Sequence, residues 1–218
     1  MNRLVIFDLD GTLIDSKLDL AHAVNASRAH LQLPPLDHEL VFSYVGNGAP
    51  VLMRRALGAG ASDEDVQRAL EFFLAYYREH MLDYTRLYPG VREALDELRD
   101  AGMTMAVLTN KPYRISEAIL AGIGIRNHFA RVYGGNSFEQ KKPDPIGIET
   151  LLLETRMPRE TAMMVGDSAV DIQTARNARI QACGVTYGFQ PETLVETPPD
   201  LLVDDLGELA HHLLSGKH

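Results

Sequence analysis

The chain has 218 residues, 45% of them hydrophobic, and its 30 acidic residues against 21 lysines and arginines give a formal net charge of −9. That length fits one domain or a core domain with a smaller companion, and the acidic balance argues against wholesale binding to nucleic acid or to an anionic membrane surface. A lone cysteine, Cys183, excludes an intrachain disulfide and reads as a core residue, and the eight histidines show no metal-ligand spacing.

The first predicted element is a short buried strand, Leu4-Val5-Ile6-Phe7, which runs directly into Asp8-Leu9-Asp10-Gly11-Thr12. It begins too early to leave room for the apolar region of a signal peptide, and no apolar run approaches membrane-spanning length. A soluble, cytoplasmic protein is expected. In extended backbone the side chains of residues i and i+2 leave on the same side, so Asp8 and Asp10 converge on one point, and Gly11 lets the chain turn away. Two carboxylates in a largely buried setting repel, and they are relieved by a cation between them or by a shared proton. The first alternative points to Mg²⁺ and the second to an acid–base pair. A lone strand-end aspartate commonly just caps a turn; a pair one residue apart asks for more.

Helices come next. Leu20, Ala21, Val24 and Leu31 predict an amphipathic helix stopped by Pro34-Pro35. Val66, Leu70, Phe73, Leu74, Tyr77 and Met81 recur at three- and four-residue steps behind Ser62-Asp63-Glu64-Asp65, an N-cap followed by acidic residues in the first turn. The next convincing strand begins near residue 103, too far from the first for an ordinary crossover. Residues 17–84 are therefore expected to form an inserted helical bundle, with 1–16 and 85–218 as the core. Tyr88-Pro89-Gly90 marks the return, and Val91, Leu95 and Leu98 open a core helix. A helical insert beside the active end of the first strand would serve as a cap that closes over substrate and excludes water.

Strand and helix patterns then alternate: strand 103–108, helix 115–121, strand 131–133, helix 146–155, strand 162–165, helix 172–178, strand 180–185, and a last strand at 201–203 before the closing helix. This alternation calls for an α/β fold with a mostly parallel sheet covered by helices on both faces. Thr109 and Asn110 end one strand, and Pro112 occupies the favoured first-turn position of the next helix; Thr109 is placed as a hydrogen-bond donor, although such a residue is also an ordinary N-cap. In Lys141-Lys142-Pro143-Asp144-Pro145 the prolines stiffen the loop and bias Lys142 to extended geometry, making it a fixed charge. Asp167 ends a further strand, and Asp171 follows one helical turn later, so both can look at the space above the strand ends where open α/β sheets bind ligands.

Four carboxylates at two strand ends imply a hard cation with oxygen ligands, for which Mg²⁺ is the natural candidate. A phosphate is what Thr109 and Lys142 would hold, so the assembled groups describe a phosphoryl-transfer site.

These residues, in this order, resemble the haloacid dehalogenase-like superfamily through all four of its motifs and nearly the whole chain. The resemblance implies a Rossmann-like core with a helical C1 cap. It makes Asp8 the nucleophile that forms an aspartyl-phosphate, and Asp10 the acid that protonates the leaving oxygen and then the base that activates water. Thr109 and Lys142 would bind the phosphoryl oxygens with Asn110 at their side. Mg²⁺ would be held by Asp8, the backbone carbonyl of Asp10 and Asp167, with Asp171 in support. Within the superfamily, the stretches 10–16, 45–49, 87–91 and 109–112 look like those of phosphoglycolate phosphatases, which makes 2-phosphoglycolate the expected substrate and a sugar phosphate or pyrophosphate the alternative. A sugar-phosphate mutase is less similar. Asn47 and Gly48 lie where the family places its specificity loop, and Arg54 or Arg55 could receive a small carboxylate there. One departure is Asp144, where that group usually has histidine. Asp10 and Asp167 argue against a dehalogenase, and the lack of any lysine between Lys17 and Lys111 argues against a phosphonate hydrolase.

Overall fold

Leu4–Phe7 is fully buried along its whole length, the signature of a central strand in a parallel sheet covered on both faces. The computed structural model describes residues 3–216. Its elements, in chain order, are β1 (Leu4–Phe7), β2 (Ile14–Asp15), α1 (Lys17–His30), α2 (His38–Phe42), α3 (Ala49–Leu57), α4 (Asp63–His80), β3 (Arg86–Leu87), α5 (Val91–Asp100), β4 (Thr104–Leu108), α6 (Tyr113–Gly122), β5 (Arg131–Tyr133), α7 (Ile146–Thr155), β6 (Ala162–Gly166), α8 (Ala169–Asn177), β7 (Gln181–Val185), β8 (Leu201–Val203) and α9 (Leu206–Leu214). They fall into two compact units, one formed by Met1–Asp15 with Leu87–His218, the other by Ser16–Arg86.

In the larger unit the described strands form a six-stranded sheet in the order β5-β4-β1-β6-β7-β8, and every pairing is parallel. Leu4 and Ile6 of β1, Ala106 and Leu108 of β4 and Ala162 and Met164 of β6 point to one face, where Ile148 and Leu151 of α7 and Ile172 and Ala175 of α8 cover them. Alternation sends Val5 and Phe7 to the opposite face, and there Phe7 meets Phe129 edge-on with ring centroids 6.3 Å apart. Phe7 is level with Val107 of β4 on one side and Val165 of β6 on the other. That register brings the ends of the three central strands, and the residues that follow them, to one edge of the sheet. The α/β architecture with a parallel sheet, expected from the alternating pattern, and its Rossmann-like form, implied by the family resemblance, are therefore the ones observed.

The smaller unit is helical. Ser62 caps α4, its hydroxyl accepting from Asp65 N at 3.0 Å, and Val66, Ala69, Phe73 and Tyr77 form the buried stripe of that helix against α1. The first helix does not run on to the prolines: α1 ends at His30, because Gln32 turns into the left-handed region at φ 59° and Leu33 N closes onto Arg28 O at 2.9 Å. Pro34 and Pro35 follow a stop already made. Among the described residues, no helix is long and apolar enough to cross a membrane.

Asp19, 1% exposed, ties the start of this unit to its end, accepting from Tyr84 N, Thr85 N and the Thr85 hydroxyl at 2.7–3.1 Å. Asp19→Ala would leave all of these donors without an acceptor and is expected to destabilise the helical unit by about 3 kcal/mol or more. Urea denaturation followed by helical circular dichroism checks this, and an unchanged midpoint would contradict it.

Candidate active site

Asp8 follows β1 without a break: its N–H still donates to Val165 O at 2.9 Å, continuing the ladder to β6. Gly11, at φ 81°, then reverses the chain, and the N–H groups of Leu13 and Ile14 fold back onto Leu9 O at 3.0 and 3.1 Å. Thr109 extends the other side in the same way, donating its N–H to Tyr133 O at 3.0 Å. Asp167 follows Gly166 at the end of β6, and its carboxylate accepts from Phe189 N at 2.6 Å and Gln190 N at 3.3 Å. The backbone closes tightly around it. A Cβ on Gly188 would lie 2.1 Å from Asp167 Cβ, and one on Gly11 would lie 2.3 Å from Asp167 Oδ2, so the aspartate sits in a cradle that only glycines leave open.

Asp171 lies in the first turn of α8 and completes a capping box with Ser168, whose N–H and hydroxyl reach Asp171 Oδ2 at 3.2 and 2.7 Å. Its other oxygen takes the Lys142 ammonium at 2.6 Å, and the same ammonium lies 2.8 Å from Asp8 Oδ1. The contact with Asp8 is an ion pair without hydrogen-bond alignment, for that buried oxygen has no hydrogen-bond partner among the described residues. Lys142 is held from the backbone as well: Asn110 Nδ2 donates to Lys142 O at 3.1 Å.

The electrostatics follow from burial. Asp8, Asp167 and Asp171 are 8%, 3% and 1% exposed and bring ligand oxygens within 4.8 Å of one another. Burial pushes the Asp8 carboxyl up to about 6, with Lys142 pulling it back and Asp171 adding to the rise. Burial, then the charges of Asp171 and Asp8, push Asp167 up to about 8. For Lys142 burial works against the charge, yet Asp171 and Asp8 together hold it above the ordinary lysine range. One ammonium, paired with Asp8 and Asp171, thus stands in a group of three carboxylates, and a hard cation with oxygen ligands fits the excess negative charge and the buried Asp8 oxygen.

The larger unit brings Asp8, Thr109, Asn110, Lys142, Asp167 and Asp171 to one sheet edge. The carboxylate of Asp10 stands outside the three-acid group, both oxygens being gripped by Lys111 Nζ at 2.9 and 3.1 Å. Lys111, its side chain 4% exposed, was not singled out from the sequence; the available signal was a lysine two residues beyond the Thr109 strand end. The amide cradle at 188–190 carried no sequence signal. Asn47, Gly48 and Arg54 belong to the smaller unit. There Gly48 begins α3 at φ 85°, Arg54 donates to Ala61 O at 2.9 Å and pairs with Asp63, and Arg55 donates to Tyr44 O at 3.1 Å.

A carboxyl that binds its proton more tightly in the folded chain favours folding while protonated, so the contribution is complete below the ordinary value of 3.8. It is lost as the pH rises through about 6 for Asp8 and about 8 for Asp167. The chelated protein is therefore expected to melt at progressively lower temperature between about pH 4 and pH 8, with Asp167→Asn flattening the decline and a divalent cation reversing it at the alkaline end. Calorimetric melts across that range test this; a melting temperature that rises with pH would refute it.

Comparison with known proteins agrees with this geometry. Residues 5–185 match the family model of the haloacid dehalogenase-like hydrolases. The chain is 43% identical over 214 residues to the phosphoglycolate phosphatase of Pseudomonas putida, a match covering 95% of this chain and 78% of that one. It is 41% identical over 214 residues to the phosphoglycolate phosphatase of Vibrio parahaemolyticus, covering 95% and 94%. Among solved structures, a predicted phosphoglycolate phosphatase from Haemophilus somnus superposes with a TM-score of 0.91 at 33% identity, covering 99% of this chain and 98% of that one. The match over most of the chain, with the acids and the lysine gathered at the ends of the central strands, makes the protein a member of the haloacid dehalogenase-like hydrolase family.

Proposed function

We propose that the protein is a Mg²⁺-dependent phosphatase that hydrolyses a small-molecule phosphate monoester, 2-phosphoglycolate foremost, through an aspartyl-phosphate on Asp8. The observation that carries the reading is the buried Asp8 carboxylate, grouped with Asp167, Asp171 and the Lys142 ammonium where the central strands end. Similarity to proteins named phosphoglycolate phosphatase supports the substrate.

Phosphate monoesters resist hydrolysis because an anionic group must be attacked by a nucleophile that needs electrons to spare. An Asp8 oxygen forms the bond to phosphorus while the ester oxygen leaves, so the displacement is split into two easier steps. Asp10 gives the departing oxygen its proton and afterwards takes one from the water that hydrolyses the acyl phosphate. The Thr109 hydroxyl and the Lys142 ammonium hold phosphoryl oxygens, and Asp171 keeps Lys142 aimed. Mg²⁺, when bound by Asp8, Asp167 and the Asp10 carbonyl, supplies positive charge to the phosphoryl group. The helical unit, through Asn47, Gly48 and Arg54, is proposed to select the substrate, and a cytoplasmic location goes with the reading.

Asp8→Asn is expected to lower kcat by about 10⁴-fold or more, and a chelator is expected to silence the wild type until Mg²⁺ is returned. Undiminished turnover by Asp8→Asn would remove the nucleophile assignment. A kcat/KM ranking of 2-phosphoglycolate against hexose phosphates, nucleotides and pyrophosphate decides the substrate: if 2-phosphoglycolate is not among the best, the sugar-phosphate or pyrophosphate alternative takes its place while the phosphatase class stands.

A further inference from the structure

We infer that Lys111 is a specificity-determining cation of this site, and that its ammonium receives a carboxylate carried by the leaving moiety of the substrate, exchanging Asp10 for it. The inference deepens the phosphatase reading above and rests on it.

The Lys111 side chain is 4% exposed and spends its charge on a partner that the proposed chemistry requires elsewhere: Nζ lies 2.9 and 3.1 Å from the two oxygens of Asp10. A buried ammonium is tolerable only beside an anion with good geometry. Without substrate Asp10 fills that place, and a carboxylate on the substrate has the same charge and the same pair of acceptor oxygens, so one can replace the other.

The backbone beneath Lys111 is held in place. Its N–H donates to Thr109 Oγ1 at 3.3 Å, and its carbonyl accepts from Gly135 N at 2.9 Å. A Cβ on Gly135 would lie 2.3 Å from Asn110 O, so the chain at 134–135 presses directly on the loop that carries the lysine. The neighbouring Asn110 is tied to Lys142 O at 3.1 Å. Lys111 is thus presented from the same rigid turn as Thr109.

Distance selects the kind of substrate. Asp10 must touch the ester oxygen to protonate it, and Lys111 stands one hydrogen bond beyond Asp10. An anionic group attached one carbon from the ester oxygen falls within reach of that ammonium, whereas a neutral alkyl or hydroxyl group cannot draw it from Asp10.

The test compares 2-phosphoglycolate with ethyl phosphate, which has a methyl group in place of the carboxylate. The wild type is expected to prefer 2-phosphoglycolate in kcat/KM by about a hundredfold. Lys111→Met is expected to reduce kcat/KM for 2-phosphoglycolate by about 30-fold or more and for ethyl phosphate much less, so that the preference collapses; Lys111→Arg, which keeps the charge, retains most of it. Equal losses on both esters would overturn the inference and leave Lys111 as a residue that only orients Asp10. A wild-type ratio near one would overturn it without any variant, which keeps the test decisive should Lys111→Met fail to fold. If the wild type hydrolyses neither these esters nor any other, it is the phosphatase reading that fails.

Discussion

Lys142 reaches two buried carboxylates at once, Asp8 at 2.8 Å and Asp171 at 2.6 Å, and the rest of the site is arranged around that ammonium. Three acids within 4.8 Å could not be packed at the edge of a dry sheet without positive charge among them. One ammonium offsets part of the repulsion, and the three acids that remain around it could hold a cation. Asp171 shows how the balance is kept: its second oxygen is satisfied by Ser168, so the residue is at once a helix cap and the anchor that keeps Lys142 in place. A cation fixed in this way is charge already oriented by the fold.

The sheet provides the positions. β1 lies between β4 and β6 with Phe7 level with Val107 and Val165, so Asp8, Thr109 and Asp167 emerge within two residues of a common line. A slip of one residue in either pairing would turn these side chains to the other face of the sheet. The fully buried apolar strands on both sides of that line set the register, and through it the core controls the geometry of the polar edge.

Two lysines divide the acids between them. Lys142 takes Asp8 and Asp171, Lys111 takes Asp10, and Asp167 is left to backbone amides from 189–190. This parts Asp10 from the three acids that could hold a cation, although Asp8 and Asp10 are only one residue apart in the chain. The helical unit has its own polar anchor in Asp19, which closes the unit where its two ends meet.

Local spacing made much of this legible. Apolar runs alternating with helical patterns call for a parallel sheet, and Ser62 ahead of an acidic first turn marks the start of α4. These are properties of a few consecutive residues, so the chain carries them wherever it is read. The partner of Asp10 is 101 residues away, Asp167 is cradled by amides 22 and 23 residues further on, and α1 stops at a left-handed Gln32 ahead of the prolines that appeared to end it. No periodicity encodes such pairings. They are decided only when sheet register and close backbone packing bring distant segments together, and it is there, at Lys111 and at the glycines against Asp167, that the tertiary structure chose which charges face one another.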